Sequence, residues 1–191
     1  MENKKAAVSL ASYDHKNYNP GANIIARITW YFVNALIFNS SLFPFSRLKA
    51  NLLRLFGAKV GRGVVIKPRI RIKYPWFLEI GSNVWIGEDV WIDNLSWVKI
   101  HNNVCISQEA FVLTGNHDYK DVRFGLIVQG VTIQEGAWIG ARSTVCPGVE
   151  VKANAVLTVG SILAQDADEN GIYQGNPARL VRTRVLRNKH A

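Results

Sequence analysis

His117 is the side chain in this sequence best suited to acid–base chemistry. It stands in the segment Thr-Gly-Asn-His-Asp, within an irregular stretch at residues 114–131. A neutral imidazole near pH 7 can take the proton from an attacking hydroxyl group. Asp118, Glu88 and Asp93 are each candidates to orient the ring. The competing interpretation is a surface-loop histidine with no catalytic role.

Metal chemistry and covalent catalysis find less support in the sequence. A zinc-dependent hydratase needs three histidines at one site. The four histidines show no close paired spacing: His15, His101, His117 and His190. We therefore expect no metal cofactor. Cys105 and Cys146 lack metal-binding spacing and have no histidine in their local sequence. They indicate a reducing compartment and argue against a disulfide framework, while spatial proximity to a histidine stays open.

The histidine interrupts a six-residue repeat that begins at Val60 and continues for fifteen units. Ile, Val or Leu occupies the first position of every unit, a small residue occupies the fifth position of most, and Gly, Asn or Asp lie between them. Six residues form a short strand and a corner, and three units close a triangular coil, so residues about eighteen apart should stack at strand spacing. Two-residue slips fall at Leu78–Ile80 and Val98–Ile100. Because one coil cannot bury its own apolar face, the pattern predicts a stack of several coils.

Two helices are predicted before the repeat. Ile24–Phe38 is apolar on most faces but too short and too polar to span a bilayer. Arg47–Phe56 carries one apolar stripe, with Ser46 as a candidate N-cap and Gly57 as the C-terminal stop. Residues 1–20 show no regular pattern and are expected to be loosely structured.

Positive charge is concentrated in the N-terminal third of the 191 residues. Residues 1–73 hold 13 Lys and Arg against two acidic residues, whereas the remainder holds 10 against 12. Such a basic region suits an anionic membrane surface, an acidic substrate or nucleic acid, or serves solubility alone. We expect no nucleic-acid partner and predict that the helices contact the inner face of the membrane, cap the coil stack, or do both. Met1–Asn23 lacks the apolar core of a signal peptide, so a cytoplasmic location is expected.

The repeat and several longer segments resemble the hexapeptide-repeat acyltransferases, and within them the colanic-acid biosynthesis acetyltransferases. The segments are NLLRLFGAKVGRGVVIKP, WIDNLSWVKI and CISQEAFVLTGNHDY, and the resemblance covers residues 24–185. It implies a left-handed parallel β-helix and a homotrimer with active sites between subunits. It also implies direct transfer of an acetyl group from acetyl-CoA to a sugar or lipid-linked saccharide of exopolysaccharide biosynthesis. A different small sugar or antibiotic acceptor and a non-catalytic β-helix scaffold are the alternatives.

The resemblance assigns roles to individual residues around the reaction. His117 matches the catalytic base, and the main-chain N–H of Ala141 matches the donor that faces the thioester carbonyl. Asn94 matches an acceptor-binding asparagine, with Asp93 beside it. A purely structural role for Asp93 at a corner of the coil is about equally well supported.

The resemblance also implies a coenzyme A groove and contacts to its phosphates. The residues assigned to this groove are Trp138, Gly140, Ala141, Gly160, Ser161, Arg179 and Arg182. Arg179 and Arg182 lie in the segment GNPARLVR, which predicts a short C-terminal helix with both arginines on one face. A solvated helix end is the alternative for the arginines, and a covered trimer seam is the alternative for Trp138.

The fold prediction is therefore all-β, with helical segments at both ends. The predicted regions are an N-terminal helical segment at 1–59, a left-handed β-helix domain at 60–168 with a loop insertion at 114–132, and a C-terminal helix and tail at 169–191. Three tryptophans at the sixth position of their units should face outward. They suit either sugar stacking or burial under the helices or a neighbouring subunit, and burial is favoured: Trp85, Trp91 and Trp97.

Overall fold

The hexapeptide repeat folds into three parallel sheets that form the sides of a triangular β-solenoid. The computed structural model of the chain describes residues 7–13 and 18–187. The predicted parallel coil and the helical N-terminal region are both confirmed. The division of the chain at 59/60 and 168/169 stays a prediction.

Each sheet is a stack of short parallel strands from successive coils, and the second sheet also contains an antiparallel terminal hairpin. The first sheet contains β1 (Lys59–Val60), β4 (Leu78–Ile80), β7 (Val98–Ile100), β12 (Val131–Ile133) and β15 (Glu150–Val151). The second contains β2 (Val65–Ile66), β5 (Trp85–Ile86), β8 (Cys105–Ile106), β13 (Trp138–Ile139), β16 (Val156–Leu157), β18 (Gly171–Gly175) and β19 (Ala178–Thr183). The third contains β3 (Arg71–Ile72), β6 (Trp91–Asp93), β9 (Phe111–Leu113), β14 (Thr144–Val145) and β17 (Ile162–Leu163). A separate antiparallel hairpin contains β10 (Gly115–His117) and β11 (Leu126–Val128).

The first-position aliphatic residues fill the interior of the coil, as predicted. In the second sheet they stack in register and have no exposed surface: Ile66, Ile86, Ile106 and Ile139. Several corners between strands place a polar residue at positive φ, a conformation that Asn and Asp tolerate well: Asn83, Asp89, Asn103 and Asn154. The repeat positions thus correspond to core and corner.

The predicted spacing of eighteen residues holds only in the upper coils. Ile139 pairs with Leu157, eighteen residues later, whereas Ile66 pairs with Ile86, twenty residues later. The two slips account for the difference, because they lengthen the strands at Leu78–Ile80 and Val98–Ile100 to three residues.

Two helices precede the solenoid, close to the predicted bounds. The first, α1 (Ile24–Val33), continues as a π-helical segment, Asn34–Phe38, and the second is α2 (Ser46–Leu55). Ser46 is the first residue of α2 and not its N-cap, because its hydroxyl is bonded to the solenoid. Gly57 follows α2 at φ 91°, a conformation that favours glycine. Within the described ranges, no helix is long and apolar enough to cross a membrane.

The helices cap the open edge of the first coil. The Trp30 indole donates to the Ile72 carbonyl at 2.9 Å, and the Asn34 side-chain oxygen accepts from the Ile72 N–H at 3.2 Å. The Ser46 hydroxyl accepts from the Ile66 N–H at 2.9 Å. Main-chain groups of two edge strands, β2 and β3, therefore have helix side chains as partners, which leaves fewer groups free to pair with another chain.

The predicted C-terminal helix is wrong, because this segment forms a hairpin. Strand β18 adds in parallel to β16, and β19 returns antiparallel with Ala178 opposite Gly175. Asn176 and Pro177 form the two-residue connection, a role that suits these residue types as well as a helix start does. The open edge of the sheet offers backbone partners and buries Ala178 completely, so tertiary pairing prevails over the local helix signal.

The three corner tryptophans face outward, and the helices do not bury them. Trp85 is 60% exposed, Trp97 40% and Trp91 36% in the single chain. Trp91 lies between the Arg71 guanidinium and the Phe111 ring, each about 4.6 Å from its centroid, so both of its faces are in contact. Burial by a neighbouring subunit stays a prediction.

Candidate active site

The irregular insertion forms a two-stranded arm that carries His117. Strands β10 and β11 pair so that His117 lies opposite Leu126. The base of the arm is fixed by Thr114, which is buried and donates from its N–H and its hydroxyl to the Asp93 carbonyl, at 3.2 and 3.1 Å. The arm therefore begins at a rigid point on the third sheet.

The imidazole of His117 is held in one orientation by Phe124. Nδ1 lies 3.1 Å from the Phe124 main-chain oxygen, and the two rings stack 4.4 Å apart at an interplanar angle of 9°. A carbonyl oxygen can only accept a hydrogen bond, so this contact requires the proton on Nδ1. In the neutral ring Nε2 is then the free basic nitrogen.

The carboxylates considered as partners for the ring have other contacts. Among the residues that the structure describes, none of the three bonds to His117. Their partners are the Lys120 N–H for Asp118, the Arg69 guanidinium for Glu88 and the Lys73 ammonium for Asp93. The oxygen on Nδ1 comes from the main chain, and no motif in the sequence indicated it.

The N-terminal segment approaches the arm more closely than its irregular sequence indicates. Leu10–Ser12 forms a 3₁₀ turn, and the Ser9 N–H donates to the Val122 carbonyl at 2.8 Å. The Tyr13 ring centroid lies 5.9 Å from that of His117. His15 and His190, considered above as zinc ligands, lie outside the described residues.

Asp93 and Asn94 occupy different environments beneath the arm. Asp93 pairs in register with Leu113, which confirms that this unit adjoins the coil that leads to His117. Asn94 is fully buried, and its amide bonds to the Tyr74 N–H and to the carbonyls of Tyr74 and Phe77. Asn94 therefore holds the turn below it and has no exposed atom to offer to an acceptor.

Ala141 belongs to a row of outward amides along one corner of the solenoid. Four corner residues stack in successive coils, and within the described chain none of their N–H groups has an acceptor: Glu88, Gln108, Ala141 and Val159. The N–H of the residue before each is bonded to the next coil, as Gly140 N–H is to the Leu157 carbonyl at 2.7 Å. The row therefore places these donors one above the other in successive coils.

Glycines keep this corner open. A Cβ on Gly140 would lie 2.6 Å from the Leu157 carbonyl oxygen, so no larger residue fits without moving the backbone. Gly160 takes φ 67° and has open space where a side chain would be. Trp138 flanks the row with 47% of its surface exposed, and its indole donates to the Ser107 hydroxyl at 2.9 Å.

Ser161 and the two C-terminal arginines differ in accessibility. Ser161 is buried, and its hydroxyl accepts from the Gly175 N–H at 3.0 Å, so it supports the terminal hairpin from below. Arg179 and Arg182 are exposed on β19. A register shift between them places Arg179 opposite Gln174 and Arg182 opposite Ile172, so both arginines share one face of the strand.

The two thiols are poor nucleophiles. Burial raises the pKa of Cys105, a change that a hydrogen bond from Ser107 partly offsets, and burial also raises the pKa of Cys146. A raised pKa keeps the thiol protonated near neutral pH, and the thiolate is the reactive form.

The predicted site residues fall into two groups in a single chain. His117 lies on the arm and Asp93 at its base, and Trp138, Gly140, Ala141 and Gly160 lie along the upper corner. Within the described parts of the chain, no hydrogen bond, ion pair or ring contact joins the groups. Across residues 7–13 and 18–187, no cluster of three or more His, Cys, Asp or Glu side chains could hold a metal ion.

Comparison with known proteins identifies the class to which this fold and site belong. The chain belongs to the hexapeptide-repeat acetyltransferase family. It is 37% identical over 165 residues to a protein of Escherichia coli named as a colanic acid biosynthesis acetyltransferase, WcaF, an alignment that spans 86% of this chain and 91% of that one.

Solved structures agree on the architecture. A hexapeptide-repeat acetyltransferase of Vibrio cholerae superposes with a TM-score of 0.76 at 23% identity, over 83% of this chain and 90% of that one. A galactoside acetyltransferase in complex with coenzyme A superposes with a TM-score of 0.74 at 25% identity, over 83% and 80%. No family model matches the sequence.

Proposed function

We propose that the protein is an O-acetyltransferase that moves an acetyl group from acetyl-CoA to a sugar hydroxyl in exopolysaccharide biosynthesis. The observation that carries the proposal is the His117 ring, held by the Phe124 carbonyl with Nε2 free to act as a base. The relationship to a protein named for colanic acid biosynthesis supports the acceptor class. The galactoside acetyltransferase bound to coenzyme A supports the donor.

The proposed reaction is a direct transfer. Nε2 of His117 accepts the proton of the sugar hydroxyl while its oxygen attacks the thioester carbonyl carbon. The outward N–H of Ala141 stabilises the negative charge that develops on the thioester oxygen. Collapse of this intermediate breaks the carbon–sulfur bond, and the departing thiolate takes the proton from the imidazolium. The raised thiol pKa values support a route without an acyl-enzyme.

The corner row and the terminal hairpin form the proposed coenzyme A groove. A pantetheine arm contains amide carbonyls, and the N–H of Val159, which follows that of Ala141 in the row, suits one of them. Trp138 flanks this path, and the shared face of Arg179 and Arg182 suits the coenzyme phosphates. Ser161 contributes by holding the hairpin in place.

A homotrimer of left-handed β-helices is the proposed assembly. In the described part of one chain, no hydrogen bond, ion pair or ring contact joins the base to the amide row, which supports a site that a second copy completes. An active site between subunits would bring the arm of one copy to the corner of the next.

The test is an acetyl-transfer assay with defined acceptors. Free thiol released from acetyl-CoA is measured with mono- and disaccharides, glycosyl phosphates and aminoglycosides, and calorimetry measures binding of coenzyme A. We expect micromolar to millimolar coenzyme A binding and turnover with at least one saccharide. Turnover with aminoglycosides alone favours an antibiotic acceptor, and an absence of coenzyme A binding favours a non-catalytic scaffold.

We also propose that the first helix contacts an anionic membrane surface. Its outward side presents large apolar residues at helical spacing, each more than half exposed: Ile25, Ile28, Phe32 and Leu36. The surrounding N-terminal third is strongly basic, which complements anionic lipid headgroups.

Co-sedimentation with vesicles tests this contact. Binding should rise with the fraction of phosphatidylglycerol and fall in Phe32→Ser, whereas Val185→Ser, which changes an even more exposed apolar residue far along the chain, should bind normally. Equal binding to neutral vesicles, or equal loss in both variants, contradicts the proposal.

A further inference from the structure

A groove with a basic floor lies between helix α1 and the lower coils of the third sheet. Its volume is about 620 Å³, and three of its lining side chains are cationic: Arg27 from the helix and Arg71 and Lys73 from the solenoid. The proposed coenzyme A groove lies at a different corner and in higher coils. The basic groove is therefore separate from the proposed coenzyme A groove.

The walls of the groove are rigid. Trp30 and Asn34 bond to the carbonyl and the N–H of Ile72, which locks α1 to strand β3. Ile72 points into the core, so Arg71 and Lys73 on either side of it point outward into the groove. The spacing between helix and strand is thus set before any ligand binds.

Two of the cations form no close ion pair in the described part of the chain, although the charge of Arg71 adds to the hydrogen bond and charge of Arg69 in lowering the pKa of the nearby Asp89 carboxyl. Arg27 and Arg71 form no ion pair and no side-chain hydrogen bond there. The Arg71 guanidinium is fixed against the Trp91 ring at 4.6 Å, which leaves its N–H groups free. Ordered guanidinium groups with free N–H donors suit the oxygens of a phosphate.

The third cation lies beside an incompletely bonded carboxylate. Lys73 Nζ is 3.2 Å from Asp93 Oδ1, a distance that allows an ion pair, but the geometry is not that of a hydrogen bond. Among the described residues, Oδ1 of Asp93 is the buried side-chain oxygen without a hydrogen-bond partner. Oδ1 itself has almost no accessible surface, but the Asp93 side chain is 19% exposed and lines the groove, so the exposed part of the carboxylate can face a sugar hydroxyl that enters.

The groove connects to the catalytic arm through Asp93. Its carbonyl accepts both hydrogen bonds from Thr114, three residues before His117. A sugar hydrogen-bonded to the Asp93 side chain is therefore near the base of the arm, while a phosphate attached to that sugar can reach the arginines.

We propose that this groove binds the phosphate of the acceptor, which is a sugar linked through a phosphate or diphosphate and not a free sugar. The inference rests on the proposed acetyltransferase function and names its substrate class. A lipid-linked and a nucleotide-linked sugar share this chemistry. The exposed apolar side of α1 adjoins the groove and would suit the lipid of a lipid-linked sugar. The experiments below distinguish the lipid-linked from the nucleotide-linked form.

Binding and kinetics of matched variants test the proposal. Inorganic pyrophosphate should bind the full-length protein in calorimetry, and Arg27→Gln and Arg71→Gln should each weaken it about tenfold or more. Lys99→Gln removes the same charge from an exposed position on the first sheet and should have no such effect. Thermal melting of each variant confirms the fold.

The kinetic experiments compare four acceptors: free galactose, galactose 1-phosphate, UDP-galactose and a prenyl-diphosphate-linked galactose. We expect a lower KM for the phosphorylated forms, and Arg71→Gln should remove this preference while the KM for acetyl-CoA stays unchanged. Preference for the prenyl or the uridine form then identifies the source.

Three results overturn the proposal. The first is that pyrophosphate does not bind, or that Lys99→Gln weakens its binding as much as the arginine variants do. The second is that free galactose is acetylated as efficiently as galactose 1-phosphate. The third is that Arg71→Gln changes only the KM for acetyl-CoA. Each of these leaves the acetyltransferase function intact. Loss of coenzyme A binding or of all acetyl transfer in the wild-type protein contradicts that function instead.

Discussion

The proposed base is oriented by a main-chain oxygen. A carboxylate partner would stabilise the imidazolium strongly, whereas the neutral carbonyl of Phe124 mainly fixes the tautomer and the ring plane. Phe124 itself takes φ 50°, in the left-handed region, and its N–H bonds to the Asp121 carbonyl at 2.9 Å. The turn that carries this residue therefore helps to fix the orientation of the proposed base.

Replacing Phe124 by Ala should lower kcat about tenfold or more, because the imidazole loses the ring against which it stacks. The KM for acetyl-CoA should stay unchanged, since the cofactor groove lies elsewhere. Steady-state kinetics check this, with Tyr119→Ala as the control because Tyr119 is an exposed aromatic residue of the same insertion. Equal effects of the two substitutions would count against a positioning role.

Replacing Cys105 and Cys146 by Ala, singly and together, should leave kcat within about threefold of wild type, because neither protonated thiol serves as a nucleophile. Mass spectrometry after incubation with acetyl-CoA should show no acetylated protein. A stoichiometric acetyl adduct that disappears with one cysteine would establish an acyl-enzyme and refute direct transfer.

At the scale of the elements, helix α2 buries a lysine side chain that donates a hydrogen bond to the main chain of the solenoid. Lys49 of α2 is fully buried, and its ammonium donates to the Lys67 carbonyl at 2.8 Å without a carboxylate partner among the described residues. Desolvation lowers the pKa of Lys49 from 10.5 to about 8. Burial of Lys49 therefore disfavours its charged form in the native state.

The pKa of Lys49 predicts a rise in stability with pH. Between about pH 8 and 10.5 the unfolded chain holds a proton that the native protein has released, so the free energy of unfolding contributed by this group increases with pH. Denaturant unfolding of wild type and Lys49→Met should show wild type gaining stability relative to the variant across that interval. A constant difference from pH 7 to 10 would contradict the lowered pKa.

The elements show where sequence reasoning succeeds and where it stops. The periodic apolar positions predicted the solenoid and α1 well, because burial of Ile66 or Ile86 depends on spacing alone. The terminal hairpin was missed because an open sheet edge prevails over a local helix signal, and the edge exists only once the coils have stacked. The spacing of the repeat also did not indicate that the Asn94 side chain is fully buried.

The same limit applies to the site. His117 was predictable as the one histidine in the irregular insertion, whereas Ala141 was assigned from the family resemblance and not from the repeat. The role of Phe124 was not predictable, because this residue lies in a turn with no periodic sequence pattern. Arg71 and Lys73 alternate with buried isoleucines, a pattern that could have indicated a basic strand face, but the groove also needs Arg27 from a helix far away in sequence.

At the scale of the whole molecule, the two groups of site residues predict complementation between subunits. His117→Ala and Ala141→Pro should each be inactive, the latter because proline lacks the N–H. Co-expressed, they should regain about a quarter of wild-type activity, because that share of sites in random mixed trimers combines an intact base with an intact donor. Light scattering should show a trimer throughout. Activity that stays absent in mixed trimers contradicts a site between subunits.

The most direct test of the central claim is the acetyl-transfer rate of His117→Ala against that of His101→Ala. His101 is an exposed histidine outside the insertion, so its replacement should leave kcat near the wild-type value. Loss of the base should lower kcat about 10²- to 10⁴-fold, with unchanged coenzyme A binding and an unchanged melting temperature. A His117→Ala protein that turns over at a near-normal rate would contradict the account.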